Sequence, residues 1–132
     1  MVVVVVSLLG TVSGCGQSHE LETADVQGIV TLDGRPVHSG SVIFTPPRGR
    51  AAKGVIGPDG TFSLSTYAAG DGAILGVHQV TIVAREKGSG GSEGRPGKSL
   101  IPERYGSPTV SGLSFEVKAD GPNVANFELT SN

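Results

Sequence analysis

Asp-Gly pairs at residues 33–34, 59–60 and 120–121 divide most of this chain into short segments. An Asp-Gly pair supplies the positive φ angles of a tight hairpin turn, so each pair marks a place where an extended chain can reverse. The 132 residues include 21 glycines and 8 prolines, and both residue types disfavour helix interiors. The sequence therefore predicts an all-β chain of short strands and many turns, with at most a short helical turn near residues 101–105.

Apolar residues alternate with polar ones between these turns, which is typical of half-buried strands. The alternation places Phe62 and Leu64 on an inward face, and it does the same for Val80, Ile82 and Ala84 in the longest segment. Seven short strands at regular spacing predict a seven-stranded antiparallel β-sandwich. Their predicted ranges are 26–32, 41–45, 52–56, 61–65, 76–85, 113–117 and 123–129.

Length and charge narrow the class of protein. A chain of 132 residues corresponds to one domain, since domains hold roughly 100–200 residues. The net charge is -2, with 10 basic and 12 acidic side chains, and only 5% of residues are aromatic. Nucleic-acid binding needs a basic surface or stacking aromatics, so we expect no nucleic-acid partner. With a single cysteine, no internal disulfide can form.

The first fifteen residues form a short apolar leader that ends in that cysteine, Cys15. Five valines and two leucines are followed by small residues and then by the thiol. The leader resembles the lipobox of bacterial lipoproteins, in which cleavage occurs just before the cysteine. It has no Lys or Arg, which secretory leaders carry at their start, and a start upstream of Met1 would supply them. The alternative is a buried N-terminal strand that ends in a free thiol.

The lipobox resemblance implies a cellular location for the protein. Cys15 would carry the lipid, and two or more acyl chains anchor a protein durably to a membrane. Residues 1–15 are then a lipoprotein signal peptide, residues 16–24 a flexible polar tether, and residues 25–132 the folded domain. We expect a lipid-anchored protein of the bacterial cell envelope. The outer membrane is favoured over the inner one, because no Asp directly follows Cys15.

Several motifs in the domain follow one another in an order typical of a known family. They are V-x-G-x-V-T-x-D-G-x-P-V at residues 26–37, V-I-F-T-P at 42–46, P-D-G-x-F at 58–62, G-D-G-A at 70–73, I-P-E-R-Y at 101–105 and S-G-L at 111–113. In this order the chain resembles the transthyretin-like, carboxypeptidase regulatory-like domain found in small bacterial lipoproteins of the planctomycete type. His78 stands where that family more often has Tyr.

The resemblance implies a Greek-key sandwich of the prealbumin type that serves as a non-catalytic structural or interaction module. Its partners would be an envelope protein or a polysaccharide, and we expect no cofactor. A prealbumin-fold enzyme is the alternative. A hydroxyisourate hydrolase of this fold ends in Tyr-Arg-Gly-Ser, whereas residues 104–107 here read Arg-Tyr-Gly-Ser and lie well before the end.

Candidate site residues are few. His19, His38 and His78 share no metal-ligand spacing, so no metal site is expected. A long Gly- and Ser-rich loop covers residues 86–102, and such loops are functional or disordered. Tyr and Arg are favoured at binding hot spots, so residues near this loop form a candidate binding patch. Its members are Tyr67, Ile101, Arg104 and Tyr105, and the alternative is that these side chains pack against the end of the sandwich.

Overall fold

The computed structural model describes residues 20–86 and 97–132, and the described residues form eleven strands and one short 3₁₀ helix. The prediction of an all-β chain is confirmed. The strands are β1 Thr23–Ala24, β2 Val26–Leu32, β3 Arg35–Pro36, β4 Ser41–Thr45, β5 Ala52–Val55, β6 Thr61–Ser63, β7 Ala73–Ile74, β8 Gly76–Val83, β9 Leu113–Val117, β10 Asn123–Val124 and β11 Phe127–Leu129, and the 3₁₀ helix is Glu103–Gly106.

One sheet has the antiparallel order β5-β4-β8-β9. Its strands β4 and β9 have the bounds that the apolar alternation predicts. Val80, Ile82 and Ala84 are all buried, as that alternation requires. The opposite face of β8 is largely exposed, so this sheet has one inner and one outer side.

The second sheet is built around β2. Strands β3 and β6 pair antiparallel with β2, whereas β10 and β11 pair parallel with it. A seven-stranded, wholly antiparallel sandwich was therefore wrong in its strand directions and in its count, since three sheets hold eleven strands. The direction of the segment that forms β10 and β11 depends on the end of β2 at which the chain arrives from β9. The Asn123 side chain bonds to both backbone groups of Lys118 and to the Asp25 carbonyl, which starts this segment beside the beginning of β2.

Strands β10 and β11 are two parts of one parallel segment. Asn123 pairs with Val26 and Phe127 pairs with Val30, so the register is the same on both sides of the interruption. At the interruption Ala125 donates its N–H to the Gln27 carbonyl at 2.8 Å and lies against Gly28. The absence of a side chain at Gly28 allows this close approach.

A third, two-stranded sheet joins β1 to β7. Thr23 and Ala24 belong to the predicted tether, yet they pair with Ile74 and Ala73. Ala24 also packs against the core. Ordered pairing therefore begins two residues before the predicted start of the domain.

The core lies between the two larger sheets, which gives a sandwich-like arrangement. All four phenylalanines contribute to it, and the rings of Phe44 and Phe127 meet from opposite sheets with centroids 6.0 Å apart. Along one side the sheets are connected, because Lys53 and Ser65 exchange backbone hydrogen bonds of 3.0 and 3.1 Å. Alternating apolar residues from both sheets thus fill a single core.

The sandwich has two distinct ends. At one end the chain passes through residues 20–25 and enters β2 at Val26. At the other end, called the turn end from here on, β2 stops at Leu32 and turns at Asp33 and Gly34. The turn end also contains residues 38–40, the 3₁₀ helix and residues 130–132. Ser39 bonds the Arg85 carbonyl just beyond β8, Arg104 of the helix bonds Asn132, and Ser131 bonds Asp33 of the turn.

Candidate functional site

A cleft with a volume of about 450 Å³ lies at the turn end. Ligand sites in proteins measure roughly 300–1,000 Å³, so this cleft is large enough for a small ligand. Its walls are the hairpin residues Leu32, Asp33, Arg35 and Pro36, the two residues that follow, and Leu100. The cleft therefore combines apolar side chains with both acidic and basic groups.

The hairpin that forms one wall follows directly from the sequence. Asp33 has a φ of 50° and Gly34 a φ of 82°, as a tight two-residue turn requires. The turn brings Arg35 beside Leu32 and Pro36 beside Thr31. Pro36 has no N–H to donate, which suits the very short strand β3. The confirmed Asp-Gly turn thus positions Arg35 at the cleft.

Asp33 is held in place by the C-terminal segment. Its two carboxylate oxygens accept hydrogen bonds from the Ser131 hydroxyl, at 2.6 Å, and from the Ser131 N–H, at 3.2 Å. These bonds lower the pKa of the Asp33 carboxyl below its ordinary value. Asp33 therefore carries a negative charge at neutral pH.

The basic side chains of the cleft are exposed. Arg35 and His38 both reach solvent. Within residues 20–86 and 97–132 the only ion pair joins Arg85 to Glu103 at 3.6 Å, so no described carboxylate neutralises Arg35. The predicted patch contained none of Asp33, Arg35 and His38. The sequence signal for these cleft residues was the D-G-x-P-V motif, since it places charged residues around a hairpin turn.

Three members of the predicted patch come together at the turn end. Ile101 and Tyr105 are buried, and Arg104 lies over the Tyr105 ring at 4.7 Å from its centroid. Arg104 donates to the carbonyl oxygens of Thr130 and Asn132 at 2.9 and 2.7 Å. Arg104 and Tyr105 therefore hold the C-terminal segment through hydrogen bonds.

The Tyr105 hydroxyl is central to that arrangement. It accepts a hydrogen bond from the Thr130 N–H at 3.0 Å and lies 3.2 Å from the Thr130 carbonyl, to which it donates. Hydrogen bonding to Thr130, with a smaller contribution from Arg104, lowers the pKa of Tyr105. A Tyr hydroxyl that is bonded in this way fixes the neighbouring chain.

Tyr67, the fourth member of the patch, lies at the other end of the sandwich. Its hydroxyl accepts a hydrogen bond from the Leu21 N–H at 3.1 Å. The loop that carries Tyr67 follows Leu64, whose N–H bonds the Val26 carbonyl at the start of β2. Because β2 is about 20 Å long, Tyr67 does not join Arg104 and Tyr105 in one surface.

The described histidines lie far apart in the fold. His78 is fully buried in the core, where its Nε2 lies 2.6 Å from the Ile74 carbonyl oxygen and its Nδ1 has no hydrogen-bond partner. Its ring packs against Phe44. His38 is exposed at the cleft. In the part of the chain that the structure describes, no three His, Cys, Asp or Glu side chains are grouped to hold a metal ion.

Some predicted features lie outside the described residues. These are the lipidation residue Cys15, the leader, residues 16–19 of the tether and residues 87–96 of the long loop. No helix among residues 20–86 and 97–132 is long and apolar enough to cross a membrane.

Comparisons of the chain with protein-family models, with curated proteins and with solved structures give no match. The resemblance to the transthyretin-like domain therefore rests on the motif residues of the sequence.

Proposed function

We propose that this chain is a non-catalytic, lipid-anchored module of the bacterial cell envelope. Cys15 carries the lipid, and the domain is a carboxypeptidase regulatory-like sandwich that binds an envelope protein or polysaccharide. The cleft at the turn end is the binding site.

One structural observation supports this proposal more than any other. The described chain enters β2 at Val26, and the cleft lies beyond Leu32, at the opposite end of that strand. A seven-residue strand separates these two points by about 20 Å. A lipid on Cys15 would hold the Val26 end toward the membrane, so that the cleft faces away from the bilayer and is open to a partner.

The composition of the cleft supports a binding role over a catalytic one. Exposed Arg35 and His38 lie beside apolar Leu32 and Leu100, an arrangement that suits recognition of a ligand with apolar and charged parts. Catalysis by acid and base would need partners within hydrogen-bond reach of each other. The carboxylate of Asp33 instead accepts hydrogen bonds from Ser131, which orders the wall of the cleft.

The anchor is tested by intact mass and fractionation of the protein expressed in a Gram-negative bacterium. We expect the membrane-bound protein to lack residues 1–14 and to carry the added mass of a lipid. Cys15→Ala removes the acceptor thiol and should move the protein out of the membrane fraction. Ser18→Ala, a matched change just beyond the leader, should leave the protein in the membrane. A full-length, soluble protein with a free thiol would refute the anchor.

A further inference from the structure

We propose that the cleft at the turn end binds the free carboxyl terminus of a peptide whose last residue is aliphatic. The inference deepens the proposed function, on which it rests, by naming the class of ligand. It follows from three neighbouring features of the cleft, which are an apolar floor, an exposed guanidinium and a carboxylate with free acceptor positions.

The apolar floor comes from Leu32, Val37 and Leu100. Val37 is buried, whereas Leu32 and Leu100 are only partly buried and pack against the core with part of their surface. Their remaining surface lines the cleft. An aliphatic side chain placed there would remove apolar surface from water on both partners, which favours binding.

Arg35 provides the recognition of a carboxylate. Its guanidinium is always charged and presents parallel N–H donors that match the two oxygens of a carboxylate. Arg35 is exposed on β3, and the described residues give it no ion pair. His38 also lines the cleft and adds a ring nitrogen to its polar groups.

The negative charge of Asp33 favours a carboxylate as the ligand over a more highly charged anion. Its ionised carboxylate lines the same cleft and would repel a doubly charged phosphate more strongly than a singly charged carboxylate. A carboxylate accepts about four hydrogen bonds, and Ser131 uses one position on each oxygen. The remaining positions can accept the backbone N–H of a peptide. A peptide terminus offers that N–H and a single negative charge together.

The cleft is also a poor match for a sugar ring. Its described lining contains no Phe, Tyr or Trp side chain on which the face of a sugar could stack. Tyr67 and Tyr105 are engaged elsewhere, Tyr67 at the opposite end and Tyr105 with Thr130. Of the two partner classes in the proposed function, the cleft therefore favours the peptide.

The test is fluorescence polarisation with the lipid-anchored protein, extracted from the membrane in detergent. The probe is the peptide Gly-Ser-Ala-Val, labelled with fluorescein at its amino end, either as the free acid or as the carboxyl-terminal amide. We expect the free acid to bind, and the amide to bind at least about tenfold more weakly, since the charge-assisted hydrogen bonds to Arg35 are lost. Replacing the last Val by Gly should weaken binding about fivefold or more, since the apolar contact is lost.

Arg35→Gln should weaken binding of the free acid by about tenfold or more while it leaves binding of the amide unchanged. Arg50→Gln is the matched control, because Arg50 is also exposed but lies in the β4–β5 connection at the opposite end. Equal binding of acid and amide, an Arg35→Gln protein that binds as wild type, or no binding of either peptide would overturn the inference. Membrane release of Cys15→Ala is measured separately, so an anchored protein that fails to bind the peptide loses only the proposed ligand class.

Discussion

Replacing Gly28 by Ala tests the close approach on which the parallel arrangement of the second sheet depends. A Cβ at this position would overlap the carbonyl group of Ala125 and would lie 3.1 Å from its N atom. The obstacle is backbone, which cannot move aside by changing a rotamer. The segment from β10 to β11 must therefore shift away from β2.

The expected loss of unfolding free energy follows from the contacts that this shift would disturb. The hydrogen bond from the Ala125 N–H to the Gln27 carbonyl, now 2.8 Å, would be strained or lost, at a cost of about 1 kcal/mol. Forcing extra volume into a packed interior costs a further ~1–3 kcal/mol, and buried Phe127 and Leu129 lie just beyond the contact. Alanine recovers ~0.5–1 kcal/mol, because it has less backbone freedom to lose than glycine. The net loss of unfolding free energy should be about 1–3.5 kcal/mol.

Thermal and urea unfolding of the wild-type and Gly28→Ala proteins, monitored by circular dichroism, measure this loss. For a domain of this size we expect Gly28→Ala to lower Tm by roughly 10 °C. Gly106→Ala is the control, because a Cβ there would approach the Val83 Cγ2 atom at 3.3 Å, and a side chain can adjust. Its distance to the Ile82 carbonyl oxygen, 3.8 Å, is an ordinary van der Waals contact. The control should stay within about 0.5 kcal/mol of wild type. A Gly28→Ala protein with an unchanged Tm would refute the close packing of Ala125 on β2.

Two further substitutions test the contacts at each end of the sandwich. Tyr105→Phe removes the hydroxyl that bonds Thr130, so urea unfolding should show a loss of unfolding free energy of about 1–2 kcal/mol. An unchanged urea midpoint would show that other contacts hold the C-terminal segment. Asp71→Ala should cost a similar ~1–2 kcal/mol at pH 7, because the carboxylate accepts the N–H groups of Thr66, Tyr67 and Ala68 at 2.6, 2.9 and 3.0 Å. Burial raises the pKa of Asp71, but these bonds outweigh it and the net pKa lies below the ordinary value of 3.8. The stabilisation is therefore complete above that ordinary value and is lost as the pH falls through the lower folded pKa. The difference in unfolding free energy between wild type and Asp71→Ala should shrink in acid, and a constant difference from pH 7 to pH 2 would contradict this assignment.

Local chemistry made much of the fold predictable. The Asp-Gly pair at residues 33–34 gives a tight turn because both residues tolerate positive φ, and the structure has this turn. Apolar alternation correctly placed Phe62, Leu64, Val80 and Ile82 in the core, because successive side chains of a strand point to opposite faces. The bounds of β2, β4 and β9 follow from the same pattern.

The candidate site was less predictable, because its parts are distant in sequence. Asp33 and Ser131 are 98 residues apart, and Tyr105 and Thr130 are 25 apart. Neither pair has a local signal. Arg104 and Tyr105 were recognised by residue type, but their shared contact is the C-terminal segment. Tyr67 was grouped with them by residue type alone, and the length of β2 separates it from them.

The sequence by itself determined the all-β character, the turn that builds the cleft and the faces that are buried. Those properties depend on φ preferences and on a two-residue period, which act over neighbouring residues. The tertiary structure alone decided that β10 and β11 run parallel to β2, that Ala125 lies against Gly28 and that Ser131 reaches Asp33. Apolar alternation is the same in parallel and antiparallel strands, so strand direction and long-range partners depend on how the whole core packs.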